Sequence, residues 1–160
     1  MYMRLLFTSA LVLLLCACSE ESETITFETV SADKTVALTA DSLSPTCSVD
    51  IRLEQATPSS GRAGEIINTT VIERLLDRND DNMQKSAEAF AEDYTSNYLR
   101  ALLPLYNQDS DDSHKQAWYH YHYIITSHTQ AGSKGTLVYL ADLNYREGGD
   151  HAVQQQVIMN

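Results

Sequence analysis

The most regular stretch of the chain is "CSVDIRLEQ", residues 47–55, where apolar and polar positions alternate without a break. Cys47, Val49, Ile51 and Leu53 fall on one side; Ser48, Asp50, Arg52 and Glu54 fall on the other. Successive side chains of a strand point to opposite faces, so the pattern predicts a strand buried on one face only. Upstream, "TITFETV" puts Ile25 and Phe27 on a common face, "SADK" reads as a turn, and "TVALTA" resumes the extended pattern. Pro and Gly in "TPSSGRAG" then end the alternation.

The period changes after this break. In "EIINTTVIERLLDR", Ile67, Val71 and Leu75 share one helical face, which Ile72 and Leu76 widen. A second, longer helix is predicted from Met83, with Met83, Ala87, Phe90, Tyr94, Tyr98, Leu102 and Leu105 on its apolar stripe. Asp80 or Asp81 is placed to cap its start, and Pro104 to disrupt its last turn. "NQDSDDSHK" reads as a solvated acidic loop. Its Asp109, Asp111 and Asp112 lack the later Gly and distal Glu of a helix-loop-helix calcium site. Extended patterns return in "AWYHYHYIITSHT", "TLVYLADLNYR" and "AVQQQVIM", separated by turns at "QAGSKG" and "EGGDH". Strands, two helices and then a meander indicate an α+β domain, an antiparallel sheet with two helices packed on it.

The N-terminus alters the setting of that domain. Arg4 is followed by an apolar run from Leu5 to Ala17, too short for a membrane span and laid out like a secretory signal. It ends in "LCAC", which resembles the lipoprotein signal of bacteria: Leu15, small Ala17, then Cys18 as the residue to be acylated. Residues 1–17 are thus expected to be a signal peptide, residues 18–24 a lipidated cysteine and acidic tether, and residues 25–160 one domain. Ser19 after Cys18 fits sorting to an outer membrane, and Glu20 and Glu21 resemble a surface-export signal of Bacteroidetes lipoproteins. The expected location is the bacterial cell envelope, with the membrane reached through lipid.

Charge narrows the partners. Removing residues 1–17 takes away Arg4 and no acid, so 11 basic against 22 acidic residues becomes 10 against 22, a formal charge of −12. Such a chain is a poor ligand for nucleic acid and a better one for a basic protein. After loss of Cys16 and acylation of Cys18, only Cys47 remains, which leaves no intramolecular disulfide and no cysteine zinc cluster.

The candidate chemistry lies in "WYHYHY", residues 118–123. On a strand His120 and His122 share a face with Trp118 and Ile124, their Cβ atoms about 7 Å apart. A zinc site needs three or four converging ligands, and His128 would lie about 20 Å further along the strand. The pair therefore reads as a polar, ligand-facing surface, and no metal or cofactor is assigned. No nucleophile motif and no phosphate-binding glycine loop is present. Downstream, Gly148 and Gly149 suit a close turn between strands, with His151 opening the returning strand.

Taken together, "CSVDIRLEQA", "IINTTVIERLL", the long helix and "YHYHYIITSHTQAGSKGTLVYLADLNYREGGDHA" resemble a known exported domain. It is shared by lysozyme-sensing anti-sigma factors, the N-terminal part of some peptidoglycan deacetylases, and many Bacteroidetes lipoproteins. The family motif, a tyrosine followed after a short gap by Gly-Gly-Ala-His, is similar to Tyr145, Gly148, Gly149, Asp150 and His151, with Asp150 as the departure. The resemblance implies a non-catalytic module that recognises a lysozyme-like protein or peptidoglycan. It also implies that the chain stops short of the full family domain, which continues with more sheet and a helix. His120, His122, Tyr145, Gly148, Gly149 and His151 are the ligand-binding candidates. The competing expectations are a metal-dependent envelope hydrolase or deacetylase-associated domain using His120 and His122, and a purely structural lipoprotein.

Overall fold

The computed structural model describes residues 24–109, 112, 115–149 and 151–160. The signal segment, Cys18, most of the tether, Asp111 and Asp150 lie outside the described residues. The described residues form five strands and two long helices: β1 (Phe27–Ala37), β2 (Thr46–Ala56), α1 (Gly61–Leu76), α2 (Met83–Asp109), β3 (Tyr121–Ala131), β4 (Leu137–Glu147) and β5 (Val153–Met159). The strands lie in sequence order in one sheet. Three pairings are antiparallel, whereas β2 and β3 run parallel, with Cys47 opposite Tyr121 and Ile51 opposite Ile125. The α+β architecture with two helices on a mostly antiparallel sheet is therefore present, and the parallel pair is the departure from the expectation.

The parallel pair follows from the course of α2. At 27 residues the helix is about 40 Å long, enough to travel the full length of the sheet. Near its start Gln84 Nε2 donates to the Ser31 carbonyl, and further along the Tyr98 hydroxyl donates to the Tyr119 carbonyl. The chain leaves the C-terminal end of β2, is carried back by α2, and re-enters the sheet beside the N-terminal end of β2. α1 stays near the exit end of β2, where Asn68 holds the backbone of Ala56.

Both helices cover the same sheet face. Val49, Ile51 and Leu53 of β2 pack there with Val71, Ile72, Leu75, Met83, Ala87 and Ala91 of the helices and with Ile125 and Ala141. Fully burying a side chain such as Ile51, Ile72 or Ile125 stabilises the fold by about 2–3 kcal/mol each. A second cluster, around Leu38, Cys47, Tyr98, Tyr106 and Tyr119, fills the other end of the helix-covered face. Among the described residues no helix is long and apolar enough to cross a membrane.

Four local expectations change. "SADK" is not a turn: β1 runs through it, and the reversal falls in residues 38–45, closed by Leu38 N–H donating to the Pro45 carbonyl at 2.9 Å. β1 is an edge strand, where polar residues are tolerated, and inward-facing Lys34 pairs with Glu92 of α2. The cap of α2 is Asn82, whose Oδ1 accepts the Lys85 N–H at 2.9 Å, rather than Asp80 or Asp81. Pro104 sits inside a helix that continues to Asp109; Leu105 points to solvent and Tyr106 takes the buried place. Finally, β3 begins at Tyr121, because Gln116–Tyr119 winds into a short 3-10 turn.

Candidate functional site at the aromatic end of the sheet

β3 and β4 pair so that Tyr123 faces Tyr145 and Tyr121 faces Glu147 on the helix-covered side. α2 lays Phe90, Tyr94 and Tyr98 over them, because residues four apart share a helix face. Tyr123 and Tyr145 stack with ring centroids 5.3 Å apart; Tyr94 meets Tyr123 at 5.0 Å and Tyr98 meets Tyr121 at 5.3 Å. Each such pair contributes about 1 kcal/mol beyond its buried area.

The hydroxyls are committed to specific acceptors. Tyr98 donates to the Tyr119 carbonyl at 2.8 Å, and Tyr94 donates to Glu147 Oε1 at 2.7 Å. Burial drives the phenols of Tyr94 and Tyr98 well above the ordinary tyrosine range, with the Glu147 hydrogen bond adding to the effect at Tyr94. Both rings stay neutral at any physiological pH. Below them lies Cys47, fully buried, its thiol pushed up to about 12 by burial and then by the negative charge of Glu147. A thiol held protonated in this way is an inert packing group. Between α2 and the start of β3 a cleft of about 260 Å³ remains, lined chiefly by Tyr94, Asn97, Tyr98, Tyr121 and Glu147.

The residues singled out from the sequence divide between two faces. Gly148 belongs to the aromatic end: its N–H donates to the His120 carbonyl at 3.3 Å. Its φ is +78°, and an added Cβ would lie 2.3 Å from the Trp118 carbonyl oxygen, so the turn packs directly under the 3-10 segment. Gly149 also has positive φ, +72°, but a Cβ there meets nothing within 4 Å. Tyr145 is half-buried in the ring stack, and His151 is exposed beyond the turn.

The two histidines look away from the helices. The Thr46 N–H donates to His120 Nδ1 at 3.3 Å, and Ser48 Oγ lies 2.6 Å from His122 Nδ1. His122 thus ties β3 to β2, and His120 ties the segment just before β3 to the start of β2. Among the described residues no group of three or more His, Cys, Asp and Glu side chains converges as metal ligands would. Asp109, from the acidic loop, closes the last turn of α2, accepting from Lys115 Nζ and from the Tyr119 hydroxyl, each at 2.8 Å.

Sequence reasoning took the α2 aromatics as core and did not find their partnership with Glu147. Tyr94 and Glu147 are 53 positions apart, and only the β3–β4 register brings the carboxylate beneath α2. The nearest signal is the i, i+4 spacing of Tyr94 and Tyr98 beside the alternating Tyr121 and Tyr123.

No family model matches the chain, and no curated protein matches it. Solved structures do. A DUF3298 family member from Bacteroides fragilis superposes with a TM-score of 0.78 at 24% identity, over 87% of this chain and 56% of that one. A DUF3298 family protein from Pseudomonas aeruginosa aligns at 12% identity with a TM-score of 0.43, over 83% of this chain and 50% of that one. The chain spans about half the length of these solved proteins. The protein thus shares its fold with a DUF3298 family structure from Bacteroides fragilis.

Proposed function

We propose that this chain is a lipid-anchored, non-catalytic domain of the bacterial cell envelope that recognises a basic, lysozyme-like protein or peptidoglycan. The observation that carries the reading is the one-sided sheet in a chain of net charge −11. Its uncovered face presents the cross-strand rows Ser48–His122–Arg146, Asp50–Ile124–Asn144–Gln154 and Arg52–Thr126–Asp142–Gln156. These side chains stand on a rigid sheet, so little conformational freedom is lost when they meet a partner. An acidic molecule steers basic partners toward it and repels acidic ones.

Cys18 would supply the membrane anchor and Ser19 the outer-membrane destination. A binding assay tests the reading: the chain lacking residues 1–17 is mixed with lysozyme and, separately, with solubilised peptidoglycan, and co-sedimentation is measured. Retention of either supports recognition; retention of neither at high micromolar protein contradicts it.

A hydrolytic reading has one observation on its side, the close Ser48–His122 contact. A serine bonded to an imidazole is half of a nucleophile-base arrangement, and it needs an orienting group on the second ring nitrogen. Turnover of peptidoglycan that disappears in Ser48→Ala would establish that reading over recognition.

A further inference from the structure

We propose that the cleft between α2 and the start of β3 binds one organic cation, an alkylammonium or guanidinium group of the kind a lysine or arginine side chain carries. The identity of the macromolecule that bears it rests on the recognition role above, but the cleft is argued from its own geometry. Three tyrosine rings, Tyr94, Tyr98 and Tyr121, and the carboxylate of solvent-exposed Glu147 line it, together with Asn97, Ala101 and Leu102 of α2. The hydroxyls of Tyr94 and Tyr98 are already engaged as donors, to Glu147 and to the Tyr119 carbonyl. Beside the aliphatic surface of Ala101 and Leu102, the cleft offers a ligand π surface and negative charge. These are the two features that attract the head of an organic cation into a partly desolvated site.

Glu147 is poised for such a partner. Its Oε1 accepts from Tyr94 at 2.7 Å, which fixes the carboxylate and leaves Oε2 to accept from a ligand. Among the described residues the ion pairs are Lys34–Glu92, Arg52–Asp50, Arg78–Asp93 and Lys115–Asp109, so no lysine or arginine neutralises Glu147. Asn97 adds a neutral amide on the helix side. An anion would meet Glu147 and the net charge of −11 unfavourably. A neutral sugar could stack on the rings but would gain nothing from the carboxylate's charge, which makes it the discriminating control.

The test is a two-dimensional amide NMR titration of the full chain in neutral detergent with n-butylammonium and n-butylguanidinium. n-Butanol and N-acetylglucosamine serve as neutral controls. The expected result is saturable shifts confined to Tyr94, Asn97, Tyr98, Tyr121 and Glu147 with the cations alone. Glu147→Gln, which can still accept from Tyr94, should weaken cation binding about tenfold. Tyr121→Leu, which keeps an apolar contact, should weaken it as well. Equal shifts with the neutral controls, undiminished binding in Glu147→Gln, or no shift at about 50 mM cation would each overturn the proposal. Lysozyme binding that survives in Glu147→Gln while the cation probes are silent would overturn the cleft and leave the recognition role standing. Cation binding without any macromolecular partner would uphold the cleft and remove that role.

Discussion

Gly148 and Gly149 occupy one turn and have nearly equal φ, yet the structure asks different things of them. At Gly149 a methyl group would stand in open space and suffer only the backbone cost of left-handed geometry. Gly149→Ala is therefore expected to cost about 1 kcal/mol. At Gly148 the same methyl would collide with the Trp118 carbonyl, and backbone cannot swing aside as a side chain can. Gly148→Ala is expected to cost about 3 kcal/mol or more, and chemical denaturation of the two variants measures the difference. Asp109 gives a pH-dependent counterpart. Hydrogen bonds from Lys115 and then Tyr119 hold its carboxyl below the ordinary range. A depressed carboxyl contributes stability above its unfolded pKa and loses it as pH falls through the folded value. Asp109→Asn should lower Tm at neutral pH by a small amount, since the pair keeps substantial contact with solvent, and the gap to wild type should close as pH falls below the ordinary aspartate range. A gap independent of pH would contradict this.

At the scale of elements, β2 and its attachments organise the molecule. Its Cys47–Leu53 alternation is legible because one face is buried beneath helices and the other is not. The exit of β2 is secured by Asn68, whose Oδ1 accepts the Ala56 N–H at 2.8 Å and whose Nδ2 donates to the Ala56 carbonyl at 2.9 Å. This side chain continues the ladder where no further strand residue can. Asn68→Ala strips both partners at once and is expected to cost about 2 kcal/mol, read by urea denaturation; a change below a few tenths would contradict it. Nothing local marks that role, since "INTT" differs little from any polar helix face. Strand β1 was hidden at "SADK" for a related reason. An edge strand needs no apolar residue at every inward position, and Lys34 finds Glu92 in place of core. The parallel β2–β3 pair was equally out of reach, because strand direction depends on how far α2 carries the chain. Parity could serve only His122, since His120 precedes β3 and follows the 3-10 turn, and the contacts of the two rings with Thr46 and Ser48 required the register.

At the scale of the whole molecule, the α+β class, the two helices and the meander could be read from periodicity because most core positions repeat every two or every three to four residues. Tyr145 and Gly148 were singled out by motif, and both lie at the aromatic end, although neither completes a cleft without Tyr94, Tyr98 and Glu147. Those three come from α2 and β4, and no single window of sequence contains them. The fold thus joins a polar sheet face, an aromatic cleft with a free carboxylate oxygen, and a strongly acidic surface. The cleft carboxylate and the acidic surface favour a basic partner, whereas the sheet face sets Arg52 and Arg146 against Asp50 and Asp142 and adds polar contacts. The electrostatic contributions should be screened by salt. Calorimetric titration of the protein with lysozyme over a series of ionic strengths tests this most directly. Saturable binding that weakens several-fold between low and moderate salt is the predicted result. Absence of binding at low salt, where attraction between the acidic chain and a basic protein is strongest, would contradict it.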